Sequence, residues 1–84
     1  MSIRKLNDNF NVISNKIQEL RYEQQLSQND LSKRLELLGI DLHKNDIQLI
    51  ESNQRTVRDY ELWGFSQVFN VDLSYFFADI KKYL

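Results

Sequence analysis

Among 84 residues there is no proline, and the only two glycines are Gly39 and Gly64. A chain with so few breakers is poorly suited to many tight turns, and its segments must end at caps rather than at proline. Apolar positions recur at helical spacing. Phe10, Ile13, Ile17 and Leu20 stand three, four and three residues apart, which aligns side chains along one helix face. No segment alternates convincingly with a period of two. The chain is therefore expected to be all-α, a single domain of five short helices with no repeat, linker or low-complexity segment.

The helix boundaries follow from local chemistry. The first helix carries the Phe10, Ile13, Ile17 and Leu20 stripe and ends near Gln24. Ser27 suits an N-cap, since its hydroxyl can accept from the free amides of the next turn. Asp30 then places an acid where the helix dipole favours it. Leu31, Leu35 and Leu38 line one face of the second helix, expected over residues 28–38. Gly39 is the natural left-handed residue after it, and Ile40 can pack back on its last turn. With His43 as N-cap, Leu42 and Ile47 are spaced as a hydrophobic staple that opens the third helix. Ile47 and Ile50 face inward, whereas Asn45, Gln48, Leu49 and Ser52 fall on the opposite side. Asn53 suits a left-handed C-terminal cap. Asp59 starts a fourth helix with Leu62, Phe65 and Phe69 on its core face and Trp63 and Val68 beside it. After the break at Asn70-Val71-Asp72, Asp72 caps a fifth helix with Leu73, Phe76, Phe77, Ile80 and Leu84 as its stripe.

Several chemistries lack their residues. There is no cysteine, so neither a disulfide framework nor a thiolate is available, which favours a cytoplasmic address. No apolar run approaches a membrane span, and none follows Arg4 and Lys5 as in a signal peptide. His43 is the only histidine. Without a second histidine or a cysteine it is a poor metal site, and it has no nucleophile to serve. There is no glycine-rich phosphate cradle. The expectation is a protein that is no enzyme and carries neither cofactor nor metal.

The run Asn15-Lys16-Ile17-Gln18-Glu19-Leu20-Arg21, continued by Leu26-Ser27-Gln28-Asn29-Asp30-Leu31, resembles the opening of the Cro/repressor (Xre) helix-turn-helix family. Ile47-Gln48-Leu49-Ile50-Glu51-Ser52-Asn53-Gln54-Arg55 is similar to the run that ends that family's recognition helix. Val57 with Asp59-Tyr60-Glu61-Leu62, and later Asn70-Val71-Asp72-Leu73-Ser74-Tyr75-Phe76-Phe77, resemble its fourth helix and its close. The likeness covers residues 12–77. It implies a five-helix, lambda-repressor-like DNA-binding domain whose motif spans about residues 28–53 and whose third helix, residues 44–52, enters the major groove. Gln28 matches a phosphate-contacting glutamine. Lys44, Asn45 and Leu49 match recognition-helix positions, and Arg21 and Glu51 match a structural ion pair. Here the chain between Leu35 and Ile47 is longer than the compact family pattern, so the turn between the second and third helices is extended. His43, Asn53 and Leu49 also depart from the residues usual at their places.

The residue types fit these roles. An exposed Asn45 or Gln48 can bond an adenine edge through both amide groups, Lys44 can reach a guanine or a phosphate, and Leu49 can meet a thymine methyl. Gln28, Asn29, His43, Asn53, Gln54, Arg55 and Arg58 are the candidate phosphate contacts. Phe77, Tyr83 and Leu84 are candidate contacts of a two-fold dimer, which would pair half-sites on an operator. The expected partners are double-stranded operator DNA, a second copy of the chain and, for control, a regulatory protein. The expected activity is transcriptional regulation, with repression favoured.

Charge sets the competing expectation. Eleven Lys and Arg stand against twelve Asp and Glu, for a net charge of -1. Residues 11–55 hold six of the basic and seven of the acidic side chains, so the acid is not confined to a tail. A nearly neutral DNA face implies a shallow salt dependence. It also fits a different class of protein: a helical interaction module, such as an antirepressor or antitoxin-like adaptor, that keeps the scaffold without reading DNA.

Overall fold

The computed structural model describes residues 6–83. Four α-helices, α1 (Ser14–Glu23), α2 (Gln28–Glu36), α3 (Lys44–Glu51) and α4 (Asp59–Phe69), precede two short 3-10 helices at Leu73–Phe77 and Ile80–Tyr83. The described residues contain no strand, only an isolated bridge between Leu6 and Asn9. None of the helices is long and apolar enough to cross a membrane.

One core joins the four α-helices and the first 3-10 helix. Ile13, Ile17 and Leu20 meet Leu31 and Leu35 of α2, Ile47 and Ile50 of α3, Phe65 and Phe69 of α4, and Phe76. Leu26, Ile40 and Leu42 fill it from the connections. The Phe65 and Phe69 rings stack with centroids 6.4 Å apart. Gly64 lets α4 approach closely: a Cβ there would collide with Ile40 Cδ1 and crowd Leu35 Cδ2.

The caps that orient α2 and α3 are local. Ser27 Oγ accepts from Asp30 N–H at 2.9 Å, and the Asp30 carboxylate accepts from Ser27 N–H at 3.0 Å. These bonds, the Ser27 amide first, hold the Asp30 carboxyl below its ordinary value. A depressed folded value means stability that is present above the unfolded value, about 3.9 for Asp, and is lost as pH falls through the folded one. Asp30→Asn is therefore expected to flatten the acid limb of the stability curve below about pH 4. An unchanged limb in melts from pH 2 to 6 would show that the cap does not contribute there.

At the other end of α2, Gly39 takes φ +82°. Its N–H reaches Glu36 O at 2.9 Å and the Ile40 N–H reaches Leu35 O at 3.0 Å, a Schellman closure that swings Ile40 into the core. An added Cβ on Gly39 meets nothing within 4 Å, so the cost of a side chain there is conformational. Gly39→Ala is expected to cost about 1–2 kcal/mol, a fall of several degrees in Tm for a domain of this size, and Gly39→Asn less. Equal Tm values for all three would refute the left-handed requirement.

The staple opens α3: Leu42 and Ile47 are both buried, and the Asp46 carboxylate accepts from His43 N–H at 3.0 Å. Ser32 Oγ donates to Leu42 O and ties the connection to α2. That connection, residues 37–43, is long for two adjacent helices. Asn53 and Asn70 close α3 and α4 in the left-handed region, at φ 60° and 57°.

Three packing expectations are corrected. Phe10 does not join the α1 stripe. The chain turns at Asn7 and Asp8, both with positive φ, and enters α1 only at Ser14, so Phe10 lies before the helix and is 37% exposed. Leu38 does not extend the Leu31 and Leu35 stripe, because α2 ends at Glu36 and the Leu38 N–H turns back to Leu35 O at 2.9 Å, which leaves it 41% exposed. The fifth helix is not α-helical. Tyr75 N–H bonds Asp72 O, Ala78 N–H bonds Tyr75 O and Lys82 N–H bonds Asp79 O, all three-residue steps. A three-residue turn cannot hold an α-helical stripe on one face: Phe76 is buried while Leu73 and Phe77 are exposed. The segment is held to α1 by Lys16, whose ammonium lies 3.1 Å from Asp79 and 5.0 Å from the Tyr75 ring centroid.

Candidate nucleic-acid interface

Helix α3 divides cleanly between an inner and an outer face. Ile47 and Ile50 are fully buried. Asn45, Gln48, Leu49 and Ser52 are exposed, as helical periodicity requires of residues opposite two isoleucines, and Lys44 is exposed on the flank. The Lys44, Asn45 and Gln48 side chains make no hydrogen bond or ion pair within the described chain. Leu49 adds a 40% exposed apolar group beside them. The face thus presents one cation, two uncommitted carboxamides and one aliphatic side chain.

An ion pair joins the inner end of α3 to α1. Arg21 donates to both Glu51 carboxylate oxygens, from Nε at 2.7 Å and from Nη2 at 2.9 Å. Its Nη1 donates to Leu26 O at 3.0 Å. The side chains are only 9% and 3% exposed. The bond to Glu51 outweighs burial and holds the Arg21 guanidinium above its ordinary value. Gln28 donates to the same carboxylate at 3.3 Å, so Glu51 ties α1, α2 and α3 together, and the Gln28 amide, a candidate phosphate ligand, is directed inward.

A second carboxylate fixes the loop after α3. Glu61, 2% exposed at its side chain, accepts from Arg55 Nη1 at 2.9 Å and Nη2 at 3.1 Å. It also accepts from Arg58 N–H at 2.9 Å. Arg55 Nε lies 3.8 Å from Asp46 on α3. The bond to Glu61 raises the Arg55 guanidinium above its ordinary value. Arg55 is therefore an internal strut between α3 and α4 rather than a free cation. Asn53 is spent likewise: its Oδ1 accepts from Asn11 N–H at 3.1 Å and its Nδ2 donates to Asn9 Oδ1 at 2.6 Å. Asn11 in turn donates to Ile50 O and Arg55 O, both at 3.0 Å.

Of the seven candidate phosphate contacts, Asn29, His43, Gln54 and Arg58 stay exposed. Arg58 keeps its charge outward, with Nη1 on Tyr60 Oη at 2.9 Å. His43 stands 3.6 Å from the exposed Asp41. Among the dimer candidates, Phe77 lines a groove of about 300 Å³ with Phe10, Val12, Val57 and Leu62. Tyr83 is half-buried, and its hydroxyl accepts from Asn15 Nδ2 at 3.3 Å. Leu84 lies outside the described residues.

Glu61 and Asn11 are the framing residues that lie beyond the sequence expectations. Glu61 does have a signal, a carboxylate three residues after Arg58 at the start of a helix, where it can cap the preceding amide. Asn11 has none, since its partners are backbone carbonyls about forty residues away. The described residues contain no group of three or more His, Cys, Asp or Glu side chains placed to hold a metal ion. Compared with models of protein families, with curated proteins and with solved structures, the chain matches none.

Proposed function

We propose that this protein is a sequence-specific DNA-binding regulator of the Cro/repressor (Xre) type, with a lambda-repressor-like arrangement in which α3 reads the major groove. The observation that carries this reading is the outer face of α3. Lys44, Asn45 and Gln48 stand exposed and uncommitted on a short helix whose other side is clamped by Ile47, Ile50 and the Glu51 ion pair. A helix held rigidly from behind, with base-reading side chains outward, has the form that groove insertion requires. The Gln28 and Asn29 amides that open α2 are left by the Ser27 cap, which takes the Asp30 N–H, and suit a phosphate; Asn29, His43, Gln54 and Arg58 are the exposed side chains proposed as further phosphate contacts. A second copy meeting the C-terminal segment at the exposed Phe77 would pair two half-sites.

With Arg55 paired to Glu61, the cations this reading assigns to DNA are Lys44 at the start of α3 and Arg58 in the loop after it. Two phosphate charges per chain give a salt slope of only about -2 per half-site. The test is selection from random DNA with the purified chain, followed by gel shifts at several salt concentrations. A folded protein that enriches no sequence at low salt overturns this reading. The alternative, a protein-interaction module, draws on the half-exposed Tyr60 and Trp63 of α4 and would then be preferred.

A further inference from the structure

We infer that the α3 face selects A·T base pairs: its half-site contains a short A·T run in which Asn45 and Gln48 take adenines and Leu49 takes a thymine methyl. The inference rests on the DNA-binding reading above. Asn45 and Gln48 keep both ends of their carboxamides free, whereas Asn11, Gln24, Gln28 and Asn53 have theirs bonded within the chain. A free carboxamide, with one acceptor and one donor side by side, matches the N6 donor and N7 acceptor of adenine, while guanine presents two acceptors there. Leu49 offers only apolar contact, and the thymine methyl is the apolar group of the major groove.

The side chains that would read G·C pairs are scarce at this face. Arg55, whose fork fits guanine, is held by Glu61. Asp46, which can accept from cytosine, is occupied by His43 N–H and faces Arg55. On α3 itself Lys44 alone remains for a guanine, at the start of the helix. Spacing sets the length of the run. At a helical rise of about 1.5 Å per residue, Asn45 and Leu49 lie about 6 Å apart along the axis. Base pairs stack about 3.4 Å apart, so the three side chains cover about two to three consecutive pairs.

The experiment is random-DNA selection with the full chain, followed by affinity measurements on the enriched site. A contiguous A·T run is expected, and a G·C pair placed within it should weaken binding about 5- to 150-fold. Asn45→Ala and Gln48→Ala should each relax the preference at one pair and leave the salt slope unchanged, whereas Lys44→Ala should reduce the slope by about one. Replacing thymine by uracil removes only the methyl group; it should weaken wild-type binding and leave Leu49→Ala indifferent. These residues are exposed, so the variants are expected to fold, with melting as the control. A folded wild type that enriches nothing overturns the DNA-binding reading and this inference together. An enriched site with G·C pairs at those positions, or discrimination that survives Asn45→Ala and Gln48→Ala, overturns the inference alone.

Discussion

Arg21→Ala is expected to destabilise the fold by about 3–5 kcal/mol, the usual cost of removing one partner from a buried ion pair. The loss has three parts here. Two charge-assisted hydrogen bonds to Glu51 disappear, and Leu26 O loses its donor. Glu51, 3% exposed at its side chain, is left with Gln28 alone, a neutral amide facing a buried charge. A chain of 84 residues has only about 4–13 kcal/mol in total, so the variant should lose a large share of its stability. Urea titration of wild type, Arg21→Ala and Arg21→Lys is the measurement. Lysine keeps the charge but not the fork, so it should fall between the two. The double replacement Arg21→Met with Glu51→Leu removes both charges and should recover most of the loss. A midpoint unmoved by Arg21→Ala would show that the pair contributes nothing.

Features set by neighbouring residues were legible in the sequence, and features set by distant partners were not. The Ser27 and Asp30 cap, the left-handed Gly39 and Asn53, and the staple of Leu42 and Ile47 each involve residues within five positions of one another. Their geometry follows from local chemistry, and the structure has them. The inner and outer faces of α3 follow from periodicity once its start is known. Phe10 and the C-terminal segment differ because periodicity assumes an α-helix where the chain forms none. Asn11 draws the N-terminal segment toward Ile50 and Arg55. Residues 73–83 are held by Phe76 and by Lys16 from α1, too little continuous apolar face to favour an α-helix over 3-10 turns. At the candidate interface, residue type identified the groups able to contact DNA. It could not show which of them were already engaged. Arg55, Asn53 and Gln28 have the right chemistry, but their partners Glu61, Asn9, Asn11 and Glu51 reach them through the tertiary fold.

Arg55→Met tests that distinction and carries the second large effect. The Arg55 side chain is 22% exposed against 2% for Glu61, so water softens the loss, and a cost of about 2–3 kcal/mol is expected. The sharper readout is the dependence of DNA affinity on salt. A cation that neutralises a phosphate contributes about one to the slope, and its removal flattens the line. A strut between Asp46 and Glu61 contributes to position alone, so its removal should lower affinity at every salt concentration and leave the lines parallel. Arg58→Met, at an exposed neighbour, should do the reverse and flatten the slope at little cost in Tm. Glu61→Gln separates the two roles further, because it removes an acid from the protein and yet loosens the strut. If Arg55 acted on phosphate, freeing it would tighten binding and steepen the slope. If it acts between α3 and α4, Glu61→Gln should weaken binding despite the more positive charge, since Asp46 at the start of α3 would then lose the link to α4 that runs through Arg55.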